Sequence, residues 1–378
     1  MSVQNGMVKL PRIVLYTIVL AFFILLFLLL RELKFFLVPV IFSSLFAMLM
    51  LPLAIRLEKW KIPRAGAAFI CLLIILSVFA LFVILFSSQV ASFTNDLPGL
   101  EEKLKERLDG VQQWVEGFTG WNSSEQMSKL NKSMDQMMGE AGGLTTDILK
   151  STGSTLLQFI LMLVYFIFFL LYRERIKQFF LLIIKNQYHE TTMVIIESIS
   201  KVTQRYLRGI LIVMSILAVL NSVGLLIVGL KHAIFLGVFA AVLNIIPYLG
   251  VWVACALCML TAILSPDESW SLLGIFIVFF TTHFLDANFL TPRIVGSQIK
   301  VNPMAVLAGV VLGEMVWGIA GTILFIPLLG ISKIIFSNLE PLKPFAYLMG
   351  DDGLDDNISF VKVFRRVTTK KKSLSEKK

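Results

Sequence analysis

Charge is scarce in this chain. Asp, Glu, Lys and Arg make up 16% of its 378 residues, against 57% hydrophobic residues and a mean hydropathy of +0.82. A water-soluble domain carries about 25% charged residues, so that class is excluded. Cysteine and histidine are scarcer still, at three each. There is no zinc-spaced His/Glu set, no nucleophile elbow and no P-loop, so no catalytic signature emerges and an ATPase acting alone is not expected. Cys71, Cys255 and Cys258 all fall inside apolar segments. No disulfide framework is implied, and Cys255-x-x-Cys258 reads as small residues on a packed helix surface rather than a redox pair. Short alternating segments are also lacking, which excludes a β-barrel.

What is present is a series of charge-free runs: Ile13 to Leu30, Phe35 to Ile55, Ala65 to Asn95, Ser151 to Tyr172 and Gly209 to Leu230. Each can span a bilayer as a helix. Two later segments are too long for that. Ala233 to Pro266 carries no charge and contains Ile246-Pro247-Tyr248-Leu249-Gly250. Val301 to Ser332 carries only Glu314 and contains Ile326-Pro327-Leu328-Leu329-Gly330. Helices of that length reach about 50 Å, against a hydrocarbon core of about 30 Å. The fold class is therefore all-α: a polytopic membrane protein with eight hydrophobic segments, two of them broken.

Charge sets the orientation. Lys9 and Arg12 precede the first run, which lacks a small-residue cleavage site and reads as a retained span. The Arg56 to Arg64 loop has Arg56, Lys59, Lys61 and Arg64 against Glu58, and Arg173 to Arg208 has seven basic residues against three acidic ones. Both belong in the cytoplasm. Gln89 to Lys150, with six basic and ten acidic residues, belongs outside. If Ala233 to Ser265 enters and returns as a hairpin, Asp267 and Glu268 stay outside while Arg293 and Lys300 face the cytoplasm; a full crossing reverses this. Charge thus favours six crossings plus two opposed re-entrant hairpins, with eight plain spans as the alternative. The basic tail, with eight basic residues against Glu376 from Lys362 to Lys378, then lies inside with the N-terminus. A net charge of +9 sits mostly beside the spans and points to anionic lipid, not nucleic acid.

Five regions follow. Residues 1–88 hold three transmembrane helices, and 89–150 an extracytoplasmic helical domain with Leu97, Leu100, Leu104 and Leu108 on one face. Residues 151–208 hold the fourth transmembrane helix and interfacial helix over Ile176 to Tyr206. Residues 209–337 form a transport core with two broken or re-entrant segments, and 338–378 a cytoplasmic basic tail.

Transport chemistry needs polar groups inside the membrane, and these cluster in the core. Pro247 removes a backbone donor and Gly250 tolerates unusual dihedrals, so helix continuity is expected to fail there. Freed carbonyls at that depth need a partner, which is a neighbouring helix, a water-lined cavity or a bound cation, and to a cation Asn244 and Tyr248 offer a side-chain oxygen each; a plain structural kink is the competing reading. Asp286 and Asn288 lie just before Pro292 and Gly296, with Thr282 one turn earlier. Intramembrane carboxylates are costly and are functional candidates. Carboxylate, amide and hydroxyl oxygens suit a hard cation or a proton, so a monovalent cation at Asp286 and Asn288 is expected, unless Asp286 simply pairs with Arg293. Glu314 is either a coupling carboxylate or a residue at the turn of the second hairpin, whose break is expected at Pro327 and Gly330. No cofactor is expected beyond Na+ or H+ coupling.

Gln204-Arg205-Tyr206 with Gly209, Asn244-Ile245-Ile246-Pro247-Tyr248-Leu249-Gly250, Asp286-x-Asn288-x-Leu290-x-Pro292-Arg293-Ile294-Val295-Gly296, Asn302-Pro303 and the Gly-rich Gly309 to Gly321 together resemble the autoinducer-2 exporter family over about Pro11 to Asn338. The resemblance implies a transporter of the bacterial inner membrane that assembles as a homo-oligomer such as a pentamer. It implies a small solute, autoinducer-2 or a related metabolite, or a sodium or lithium ion exchanged for protons. The sequence alone supports a secondary carrier with a midplane site between the hairpins. A passive oligomeric channel and a scaffold acting through the outer domain remain as alternatives.

Overall fold

The computed structural model describes residues 11–96, 153–247, 249–263, 269–296 and 301–351. Most of the outer domain, the tail beyond residue 351 and Tyr248 lie outside the described residues. The long elements described are helices: α1 (Arg12–Glu32), α2 (Lys34–Lys59), α3 (Arg64–Asp96), α4 (Gly153–Leu171), α5 (Arg173–Ile183), α6 (His189–Val228), α7 (Ala233–Leu243), α8 (Gly250–Ile263), α9 (Ser269–Leu285), α10 (Pro303–Trp317), α11 (Ile319–Asn338) and α12 (Lys343–Met349). Seven helices among the described residues are long and apolar enough to cross a membrane, so the chain is a multi-pass membrane protein. In a bilayer only such helices satisfy their own backbone groups, which is why apolar runs take this form.

The spine of the core is α6, 40 residues long. The sequence suggests an interfacial helix ending at Tyr206 and a separate span from Gly209. The structure joins them, because nothing between those residues breaks a helix. Gly209 is buried with the Ile294 carbonyl against it, where a Cβ would lie 3.0 Å from that oxygen. The spine stops at Gly229, which adopts φ +82°. Gly229 N–H donates to the Leu226 carbonyl and Leu230 N–H to the Leu225 carbonyl, the paired closure that a left-handed glycine permits.

Small residues then bring neighbouring helices onto α6. A Cβ at Gly274 would fall 2.8 Å from Val228 and one at Gly224 2.6 Å from Val278. With the Gly209–Ile294 contact these show α9 and its continuation running antiparallel along α6. A Cβ at Gly237 of α7 would lie 2.4 Å from Ser222 N and Oγ, so α7 also lies close against the spine. The apolar cluster between them holds Leu225, Leu236, Ala240, Ala254, Cys258 and Ile275. Cys255 and Cys258 are buried free thiols packed in that cluster.

The first overlong segment breaks as its sequence suggests. α7, of 11 residues, stops at Leu243 and α8, of 14 residues, starts at Gly250. A Cβ at Gly250 would sit 1.8 Å from the Leu243 carbonyl oxygen, so the turn needs glycine there.

The second segment corrects the sequence reading. Its reversal falls at Gly318, with φ 64° and ψ −145°, and not at Pro327 and Gly330. Pro327 and Gly330 are buried inside the continuous 20-residue α11. Packed membrane helices tolerate an internal proline because neighbours hold them, and α2 likewise runs through Pro39 and Pro52. The dihedrals at Gly318 are open essentially to glycine alone, so the chain turns there. α10 and α11 then fold back on each other so closely that a Cβ on Gly321 would lie 1.8 Å from the Gly313 carbonyl oxygen. Asn302 caps α10 by accepting from Ala305 N–H, and its Nδ2 donates to the Leu348 carbonyl at 2.6 Å, tying α12 to the same end. A matching motif eighty residues apart therefore serves two different local structures.

A second body of packing lies in α2, α3 and α4, where Ala54, Ala67, Ala68, Cys71, Phe166 and Leu170 are buried together. At its polar end Arg173 holds Glu58 in a two-pronged pair, at 2.8 and 2.5 Å. Trp317 Nε1 donates to the Leu30 carbonyl and anchors the α10–α11 turn to α1.

Candidate functional site

The α-helical register of α9 ends at Leu285 and widens into a π-helix over Asp286–Gly296, with Pro292 inside it. The sequence also marks Pro292 and Gly296 as breaks; the structure keeps the helix continuous through Pro292 to Gly296 and widens it, a geometry that recurs at functional sites. Its consequence is specific. The hydrogen bonds of a π-helix join residues five apart, and Thr291, five beyond Asp286, donates its Oγ1 hydrogen to Asp286 Oδ1 at 2.6 Å.

The other carboxylate oxygen faces the first break. Asn244, the residue closing α7, donates from Nδ2 to Asp286 Oδ2 at 2.8 Å. Asp286 is 7% exposed. A carboxylate this deep stands only where donors replace water, and two side-chain donors do so here. Thr282, one turn before Asp286, is buried and donates to the Phe279 carbonyl. Asn221 of α6 reaches the same place and is 5% exposed. These residues, with Leu217, Ala240, Val251, Phe279 and His283, line a space of about 10 Å³. That is room for one water-sized body.

Of the residues singled out in the sequence, the structure brings together Asn244, Thr282 and Asp286. Asn288 points elsewhere: it is exposed, and its Nδ2 donates back to the Phe284 carbonyl. Glu314 is exposed on α10, four residues before the Gly318 turn, with its carbonyl accepting from Gly318 N–H. The guanidinium of Arg293 lies over the Phe289 ring, 5.6 Å from its centroid. Tyr248 is outside the described residues. Two site residues escape the sequence reading. An amide inside the charge-free Gly209 to Leu230 run was a usable signal for Asn221. Thr291 becomes legible only once the register is known to be π.

A larger cavity, of about 500 Å³, lies elsewhere, between α3 and the α6–α7 turn. Phe82, Leu85, Leu226, Phe235 and Phe239 line it, with His232 as the polar exception. It contains none of the residues just described, and its walls suit acyl chains better than polar chemistry. Among the described residues no three of His, Cys, Asp and Glu gather as a transition-metal site. The small space is lined by the residues that carry the Asp286 carboxylate, the Thr282 hydroxyl and the Asn221 amide, and oxygen ligands of these kinds fit a hard cation or a proton.

A family model described as "AI-2E family transporter" matches residues 17–340 of this chain. The chain is 24% identical over 318 residues to "Putative transport protein YueF" of Bacillus subtilis, covering 80% of this chain and 84% of that protein. It is 23% identical over 336 residues to "Putative transport protein MT0215" of Mycobacterium tuberculosis, covering 88% and 90%. With "Putative transport protein YhhT" of Escherichia coli K12 it shares 22% over 322 residues, covering 83% and 87%.

Proposed function

The chain belongs to the AI-2E family of transporters, and from that membership we propose that it is a secondary carrier whose coupling group is Asp286. Its cargo is a small solute, an autoinducer-2-like signal or related metabolite, or a monovalent cation exchanged for protons. The observation that carries this reading is the Asn244–Asp286 hydrogen bond, which places a carboxylate at the tip of a broken helix. Intramembrane carboxylates are expensive to keep, and broken helices are where carriers build their sites.

The first segment has two arms, α7 and α8, and α7, at 11 residues, reaches about 16 Å, short of a core of about 30 Å. We read them as a re-entrant hairpin from the outer face. The α10–α11 pair is its counterpart from the cytoplasmic face, although α11, at 20 residues, is long enough to cross alone. In this reading the protein sits in a bacterial inner membrane with both termini inside. It works as a homo-oligomer, a pentamer being the assembly in view, and access alternates by an elevator-like shift of the core.

Reconstituted protein tests the mechanism. Saturable flux with counterflow supports a carrier. Steady single-channel currents would replace it with a passive pore.

A further inference from the structure

The Oδ1 atom of Asn221 is buried and accepts no hydrogen bond from any described residue. Leaving such an oxygen unmet is costly, so a buried one calls for an occupant. Asn221 lines the small space beside Asp286, together with Asn244 and Thr282. Both Asp286 oxygens already accept a hydrogen bond, from Asn244 and Thr291. Thr282 has donated its hydroxyl hydrogen to the Phe279 carbonyl, which leaves its lone pairs free. The oxygens lining the space are therefore acceptors, and the carboxylate adds negative charge. An occupant that offers only positive charge satisfies them all.

Size narrows it further. The space is about 10 Å³, whereas an organic ligand's pocket occupies about 300 Å³ or more. An organic cargo does not fit; a dehydrated ion does.

We propose that Asn221 Oδ1 is a ligand for a single bare monovalent cation held beside Asp286, so that this space is the coupling-ion site and any organic cargo binds elsewhere. The inference rests on the reading of Asp286 as the coupling group. It adds a residue from α6, so that the cation joins the spine to α9 and to the end of α7. Occupancy then stiffens the contact between those three elements.

The test uses full-length protein in detergent, with sodium chloride titrated against choline chloride at constant ionic strength. Sodium-dependent rise in melting temperature and radiolabelled sodium binding are the readouts. Sodium should stabilise the wild type. Asn221→Ala should weaken sodium binding at least tenfold, Asn221→Asp should retain it, and Asp286→Asn should abolish it. Unchanged binding in Asn221→Ala, with loss in Asp286→Asn, overturns the role of Asn221 and leaves the Asp286 reading standing. Full binding in Asp286→Asn overturns both. A wild type that binds no sodium overturns the cation site alone, because proton-driven flux still tests Asp286. If Asn221→Ala does not fold, Asn221→Ser, with an oxygen too short to reach, carries the same expectation and the same refutation.

Discussion

Asn244 and Asp286 are 42 positions apart in the chain and 2.8 Å apart in space, with the amide of one donating to the carboxylate of the other. The bond joins the end of α7 to the point where α9 changes register. It holds a buried charge whose hydrogen bonds contribute about 1.5–3 kcal/mol each. Asn244→Ala should therefore lower the melting temperature measurably and cut coupled flux at least tenfold. Thermal unfolding and proteoliposome uptake on one preparation check both effects. Unchanged flux would leave the bond a structural tie.

The π register makes a second expectation, and one that separates structure from sequence. Thr291→Val keeps the shape but removes the donor to Asp286, and should reduce coupled flux several-fold. Asn288→Ala, which removes an exposed side chain bonded to its own helix, should leave flux within about twofold. The reverse ranking in the uptake assay would mean that the helix is not π at this point.

The second overlong segment should be sensitive at its glycine turn and not at the proline of its Ile-Pro-x-Leu-Gly motif. Gly318→Ala places a side chain where φ is 64° and ψ −145°, which is unfavourable by about 1–3 kcal/mol. Pro327→Ala restores a backbone donor inside a continuous helix and should leave stability unchanged or raised. Melting temperatures of the two variants decide it; a larger loss for Pro327→Ala would put the turn back at the proline.

Much of this architecture is legible in the sequence because a bilayer leaves so few options. The spans over α1 to α4 announce themselves as charge-free runs. The break before Gly250 does too, where a proline and a glycine coincide with a tight approach to Leu243. The same reasoning fails at Pro327, because helix packing compensates for a missing donor and nothing in the sequence states how well a helix is packed. Gly318 is hidden in a glycine-rich run whose other members, Gly309, Gly313 and Gly321, serve close helix contacts. Asp286 stands out as a carboxylate in an apolar segment. Its partners do not, since they depend on a register change and on an amide of α6 far away in sequence.

Topology has its own test. With α7 and α8 as a re-entrant pair, Lys231→Cys and Ser269→Cys both label with a membrane-impermeant thiol reagent from outside, and Gly296→Cys labels from the cytoplasm. Plain spans predict the opposite for Ser269→Cys and Gly296→Cys. A cysteine-free background, with Cys71, Cys255 and Cys258 replaced by Ala, makes the readout unambiguous.

The central claim is that Asp286 couples transport, and gradient-driven flux in proteoliposomes tests it most directly. Wild type and Asp286→Asn, reconstituted at equal density, are compared under an imposed sodium or proton gradient. The account predicts that Asp286→Asn inserts normally and loses gradient-driven flux. Flux equal to the wild type under both gradients would contradict it.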